Sequence, residues 1–210
     1  VIEAKANYGD QATGRYLGAA KFVDLIVDYL KASPPRSANA ALVGDRLFAF
    51  ASKSLDWCQD KILLSLLNLE WSSIESLYSN YQEPRLLGLS DFGPETLLNL
   101  KFTLDGSLFW IFEACAIEDF WLQSGDFESF QSNSNFKKPW LAMRRINPEQ
   151  IGCQRFSVFE KSALDALAKG ASLGAVVEEF SDHEELEGFL VNLGDWVLAG
   201  ILHEKDLNIS

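Results

Sequence analysis

The residue types that carry chemistry are scarce or badly spaced in this chain. Its only histidines are His183, between Asp182 and Glu184, and His203, beside Glu204. A zinc hydrolase needs a paired motif such as HExxH, and an iron oxidase needs many His and carboxylate ligands. The two histidines therefore read as surface residues, and no metal site is expected. Cys58, Cys115 and Cys153 stand far apart, without CxxC spacing and in an odd number, so free thiols, buried or half-buried, are expected rather than a disulfide framework. No GxSxG elbow presents a serine, and no cysteine has a histidine near it in sequence, so nucleophile and base are not paired. Neither GxxxxGK[ST] nor GxGxxG follows a strand, which removes the usual phosphate cradles. With 30 Asp and Glu residues, carboxylate pairs are too common to mark an acid–base site. The expectation is a chain that is not an enzyme and holds no cofactor of its own.

Charge is the stronger signal. The formal net charge is -12, which repels nucleic acid and anionic membrane surfaces and favours basic partners. Between Gly170 and Glu204 stand Glu178, Glu179, Asp182, Glu184, Glu185, Glu187, Asp195 and Glu204, with no Lys or Arg among them. Just upstream, Lys137, Lys138, Arg144, Arg145, Arg155 and Lys161 are offset only by Glu149 and Glu160. The acidic run reads as a solvated helix face or as a docking face for a basic peptide. No run of eighteen apolar residues and no basic segment ahead of an apolar one is present, so a soluble cytoplasmic protein is expected, with no membrane partner.

The elements that must position these residues fall into two parts. Residues 1–82 read as a helical domain. Tyr16, Ala20, Val23, Ile26, Val27 and Leu30 form one apolar stripe, and Leu42, Leu47 and Phe50 a second. Leu63, Leu66, Leu67, Trp71 and Ile74 form a third, which predicts a long helix buried along one side. Turn-rich sequence around Pro84 and Ser90–Pro94 marks a boundary, and residues 90–210 read as an α+β domain. There Leu98 to Leu104 alternates strictly and predicts a half-buried strand. Asp105-Gly106 predicts a type I′ hairpin turn, and Leu108 to Phe112 an interior return strand. Glu118 to Leu122 predicts a short helix, and Trp140 to Ile146 with Ile151 to Phe156 a strand pair. Three helices follow: Phe159, Ala163 and Leu167 stripe the first, which stops at Gly170; Leu173, Val176, Val177 and Phe180 stripe the second. Leu186, Phe189, Leu190, Leu193 and Val197 stripe the third, with a capping box at Ser181–Glu184. The fold class is thus α+β: helices, then a small antiparallel sheet with three helices, in the manner of a winged helix or a peptide-recognition element.

Two strings carry a resemblance. Ser33-Pro34-Pro35-Arg36-Ser37 follows the helical run ending Asp28-Tyr29-Leu30, where the prolines end the helix and fix the exit direction of the chain. Leu66-Leu67-Asn68-Leu69-Glu70-Trp71 lies inside the next long helical run. In that order and spacing, and less closely through Trp140-Leu141-Ala142-Met143-Arg144 and Ser162 to Gly174, the chain resembles the HvfC/MbnC-like proteins. These are partner subunits of multinuclear non-heme iron oxidases that modify ribosomally made peptides. The resemblance implies a heterodimeric, non-catalytic subunit that binds the leader of a precursor peptide. The cysteine-containing core of that peptide enters the partner's iron site for methanobactin-type oxazolone and thioamide formation. An extended peptide would add to the strand edge at Lys101, Phe102, Thr103 and Leu104, or at Leu141, Met143, Arg144 and Arg145. Pro35, Arg36, Asn39 and Arg85 are the candidates for the interface with the oxidase.

The competing reading is a winged-helix DNA-binding regulator, which the C-terminal topology allows. A recognition helix should then carry Lys or Arg toward phosphates. The second and third helices carry Glu178, Glu179, Glu184, Glu185 and Glu187 instead, so nucleic acid is not an expected partner.

Overall fold

Residues 2–5, 12–35, 43–83, 89, 92–112, 117–122 and 138–205 are described by a computed structural model of the chain. They form a mixed α+β structure built around small antiparallel sheets. Strand β1 (Ile2–Lys5) pairs with β5 (Gln150–Phe156), β5 with β4 (Trp140–Asn147), and β4 with β3 (Phe109–Phe112), giving the order β1-β5-β4-β3. The predicted hairpin across Asn147-Pro148 is the β4–β5 connection, with a register irregularity between Arg145 and Asn147. A second, two-stranded sheet joins β2 (Phe102–Leu104) to β6 (Leu202–Glu204), close to the end of the described chain.

Alternation along the strands sends two sets of side chains to opposite faces of the larger sheet. On one face Ile111, Leu141, Met143, Ile151 and Cys153 pack with Leu66 and Leu69 of α4 (Lys61–Tyr78), Ala12 of α1 (Ala12–Leu17), and Ile117 and Phe120 of α6 (Ile117–Leu122). On the other face Ala142 and Phe156, with Trp110 and Trp140, meet α7 (Val158–Ala168), α8 (Leu173–Glu179) and α9 (Leu186–Leu198). Outside α4, Leu25 of α2 (Ala19–Ala32) and Ala51 of α3 (Leu47–Ala51) close a further helical layer on Leu63 and Leu67. The expected helical part at 1–82 and α+β part at 90–210 thus share a core, since α4 rests directly on β3 and β4. Within the helical part polar ties hold α1 to α4: Thr13 Oγ1 donates to Glu70 at 2.6 Å, and Tyr16 donates to Asp60 at 2.9 Å. Asp60 also caps α4 by accepting the Leu63 N–H at 3.0 Å.

Several expectations change. The alternation from Leu98 to Leu104 is not one strand, because Pro94–Asn99 forms a short helix, α5, with proline in its first turn. Only Phe102–Leu104 remains extended, and it pairs with β6 rather than with the following segment. Asp105-Gly106 is no type I′ turn, since Gly106 is not among the glycines with positive φ. The Asp105 carboxylate instead accepts the Ser107 N–H at 2.7 Å, an Asx turn, and a Cβ at Gly106 would stand 3.1 Å from the Asn80 carbonyl oxygen. The expected interior return strand is a margin of the sheet: β3 pairs with β4 alone among the described residues, and Phe112 is 60% exposed.

The first apolar stripe also reads differently. Gly18, at φ 75°, divides it into α1 and α2, and α2 buries Leu25 and Tyr29 while Val23 and Val27 face outward. Leu42 of the second stripe lies outside the described residues. The capping box falls on α7, where Ser157 and Glu160 exchange hydrogen bonds, and not at Ser181–Glu184. α9 begins after Glu185 with no side-chain cap of its own, although His183 Nδ1 accepts the Glu185 N–H at 3.2 Å.

Two changes test this packing. Leu141→Ala empties a fully buried position at the middle of the sheet and should cost about 2–5 kcal/mol in denaturant unfolding. At Gly174 a Cβ would lie 2.9 Å from the backbone oxygen of Leu98, so Gly174→Ala should cost about 1–3 kcal/mol despite its higher helix propensity. A variant as stable as wild type would show that α5 and α8 are not held together this closely.

Candidate functional site

The most concentrated polar chemistry in the described structure surrounds Asp105. Its side chain accepts from the Ser107 hydroxyl, from the Ser107 N–H and, at 3.4 Å, from the Gln82 N–H, and lies 3.2 Å from His203 Nε2. Asp105, Ser107 and His203 are all buried. The Ser107 oxygen in turn accepts the Arg145 N–H at 3.0 Å, which ties the cluster to β4. Buried Arg144 adds a neighbouring positive charge. Burial pushes its guanidinium pKa down, against the opposing pull of Asp105 and Tyr81. Burial alone would raise the Asp105 pKa, but the hydrogen bonds from His203, Ser107 and Gln82 outweigh it, and the carboxyl is held below its ordinary value.

The order of contacts decides what this cluster can do. A nucleophilic triad places histidine between serine and carboxylate, whereas here the carboxylate lies between Ser107 and His203. Ser107 is fully inaccessible. The adjoining apolar cleft, lined by Leu89, Phe92, Leu100, Phe102 and His203 among others, encloses about 10 Å³, room for one water at most. The cluster is therefore a clasp that joins the β2–β6 ribbon, the start of β3, β4 and the chain after α4. Sequence reading missed it by treating His203 as a surface residue. The available signal was its place in the run Ile201-Leu202-His203, just after Gly200 ends α9, where the two preceding residues are apolar and prove to be buried.

The residues expected to bind peptide divide by accessibility. Phe102, Leu141 and Met143 are core residues at 1% exposure or less, and Arg144 is buried, so none of these four side chains meets solvent appreciably. The expected edge at Trp140 to Ile146 is closed over Trp140–Met143, where β4 has β3 on one side and β5 on the other. Lys101 is exposed, while its carbonyl accepts the Lys205 N–H at 2.8 Å. Thr103 and Leu104 are half-buried against the ribbon and core. Arg145 is also half-buried. Its guanidinium donates to Asn147 O at 3.2 Å and Pro148 O at 2.9 Å, and lies over the Tyr81 ring. Of the expected partner interface, Pro35 is exposed, whereas Arg36, Asn39 and Arg85 lie outside the described residues. Arg46 Nη2 holds the Pro34 carbonyl at 3.1 Å and, with Lys53 and Phe50, lines an open groove of about 390 Å³ beside Ser33.

Two further surfaces stand out, the second of them within the acidic run that the sequence marks as a solvated face or a docking face for a basic peptide. The first is the outer side of β3, where exposed Phe112 packs edge-on to Trp140 at 5.1 Å between ring centroids. From there an aromatic series runs inward through Trp110, Phe156 and Trp196, and Lys161 lies over both the Trp110 and Trp140 rings. The second is the outward face of α9, taken up below. Cys58 is half-buried and Cys153 buried, both as free thiols, as expected; Cys115 lies outside the described residues. Burial pushes the Cys153 thiol up to about 12, with nearby Glu118 adding to the shift. Among the described residues no group of three or more His, Cys, Asp or Glu side chains is placed to hold a metal.

No protein-family model and no curated protein matches the chain.

Two outcomes follow. Asp105→Asn removes a charge-assisted network and should destabilise the protein by about 1.5–3 kcal/mol at neutral pH. Because the Asp105 pKa is depressed on folding, its contribution is present above the unfolded value near 4 and is lost as pH falls through the lower folded value. The gap between wild type and variant in urea melts should therefore narrow below about pH 4; a gap that widens in acid would assign the stabilisation to another group. In native alkylation at pH 8, Cys153 should remain unmodified until the protein unfolds, and rapid labelling of Cys153 would contradict its burial.

Proposed function

We propose that this chain is a cytoplasmic, non-catalytic partner subunit of a multinuclear non-heme iron oxidase. It binds the leader of a ribosomally made precursor peptide and presents the cysteine-containing core for oxazolone and thioamide formation of the methanobactin type. Iron and the oxidative chemistry belong to the partner chain. The observation that carries this reading is the outer edge of β3. Among the described residues no strand pairs with the outer edge of β3, where an extended peptide could add as a further strand, while exposed Phe112 beside Trp140 would offer an aromatic anchor for its side chains. Lys101, Thr103, Leu104 and Arg145, from the sequence-derived set, would make secondary contacts; the groove at Arg46 and Lys53, next to Pro35, would face the oxidase.

The winged-helix-like reading of the C-terminal part has support of its own. Lys101, at the start of β2, bridges antiparallel to Ser172 between α7 and α8, while β2 pairs with β6 after α9. Three helices with a ribbon ordered Ser172, β2, β6 would be compatible with a winged-helix-like unit in which β2 comes from ahead of the helices. The acidic surface of α9 argues for a protein or peptide ligand over DNA on such a scaffold.

Co-purification of the tagged chain with the candidate oxidase and its precursor peptide tests the function directly. Intact-mass analysis should find a modified peptide only when both proteins are present, with iron confined to the oxidase. Modification by the isolated chain, or binding of nucleic acid that survives physiological salt, would overturn the reading. For the edge itself, Phe112→Lys should weaken binding of a labelled leader peptide by about tenfold or more while leaving the thermal midpoint within a few degrees, since the side chain is exposed. Unchanged affinity would remove the β3 edge as the binding site.

A further inference from the structure

The outward face of α9 is built in a way that the chain's own packing does not require. Phe189, Leu193, Trp196 and Val197 fill the inward side. At 100° per residue, Val191 and Leu198 project from the opposite side, one heptad apart, where a surface helix normally carries polar residues. Val191 is 72% exposed and Leu198 52%, with Leu190 at 38% on the flank. Gly188 and Gly194 lie beside them, and a Cβ at either would meet nothing within 4 Å. Each helical glycine costs about 1 kcal/mol against alanine, and no close approach by any described residue explains two of them on this face. They leave low ground around Val191 on which another backbone can approach.

Charge identifies the occupant. Asp182, Glu184, Glu185, Glu187 and Asp195 are all exposed along or just ahead of α9, and no Lys or Arg occurs between Gly170 and Glu204. An anionic partner is repelled at the short range over which surface charge acts, about 8 Å at physiological salt. A helix face also has no unpaired backbone groups with which to recognise a strand, so the contact must be made by side chains at helical spacing. We propose that this face docks a basic amphipathic helix of a partner protein, its apolar stripe seated on Val191, Leu198 and the two glycines and its Lys or Arg residues paired with the flanking carboxylates. The helix of 13 residues spans about 20 Å, enough for three to four turns of partner helix. The inference rests on the reading of the chain as a binding subunit, but uses a surface separate from the β3 edge.

The test uses the full chain, uniformly labelled with nitrogen-15, and an amidated helical peptide of about fourteen residues with leucines on one stripe and lysines on its flanks. Fluorescence anisotropy should show binding that weakens with salt, and amide shifts should cluster on residues 187–198. A matched peptide with glutamates in place of the lysines should not bind. Val191→Asp with Leu198→Asp should weaken the lysine peptide by about tenfold or more with little change in melting temperature, both positions being exposed. Glu187→Lys with Asp195→Lys should weaken it without touching the apolar stripe. Shifts that map elsewhere, or a Val191→Asp/Leu198→Asp protein that binds as wild type does, would overturn the inference. Leader-peptide affinity on the same variants separates the two readings: normal leader binding with no helical binding by wild type sinks this inference alone, and the converse sinks only the β3 reading.

Discussion

A strand with neighbours on both edges and helices on both faces can tolerate polar atoms only where they are matched. β4 faces that demand at four consecutive positions, since Leu141, Ala142, Met143 and Arg144 are all buried. Three of them are apolar and serve the two faces in turn. The fourth, Arg144, is a charge that must find compensation inside the structure. Asp105 supplies it electrostatically, and the Ser107 hydroxyl next to Asp105 accepts the N–H of the following residue, Arg145. Burying β4 thus dictates both the helical layers that cover it and the polar cluster at its end.

That cluster in turn fixes the ribbon. Asp105 follows β2 directly and His203 lies within β6, so their contact joins the ribbon's two strands by side chains as well as by backbone. The Gln82 N–H reaches the same carboxylate from the chain that leaves α4. One carboxyl group therefore gathers the ends of three parts of the chain far apart in sequence. A group so placed is expensive to lose and unreachable by substrate, which is why an Asp–His–Ser constellation here is structural.

Legibility in the sequence followed the local or distant origin of each signal. The β4–β5 hairpin, α6, α7 and α8 were readable because their periodicity, turns and caps are encoded within a few residues. Asp105-Gly106 was misread because the same dipeptide serves a type I′ turn or an Asx turn, and the Asp105 carboxylate here meets Gln82 and His203, which are distant in sequence, as well as the Ser107 N–H. Leu98 to Leu104 misled for a related reason: its alternation is compatible with a strand, but Gly93-Pro94 starts a helix that takes in its first two residues. The peptide-binding candidates failed on burial at Phe102, Leu141 and Met143, because strand pattern identifies which residues share a face and says nothing about which face is covered. His203 was hidden by composition, since a histidine beside glutamate near the end of the sequence looks solvent-facing until β6 is known to exist.

The distribution of unsatisfied surface then limits what kinds of partner the molecule can take. At β3 the outer backbone edge has no strand partner among the described residues, a geometry that would suit an extended chain read through alternate side chains. At α9 the backbone is satisfied internally, so only shape and charge are on offer, and an apolar seam within an acidic rim selects a cationic helix. At Arg46 and Lys53 an open groove is lined by two cations on a protein whose net charge is -12, with Asp45 paired to Arg46 at 3.4 Å. Three surfaces with three different requirements cannot be served by one small ligand. Under the proposed function they would let one subunit hold a peptide and a protein at the same time, with electrostatic repulsion limiting the orientations in which either could arrive.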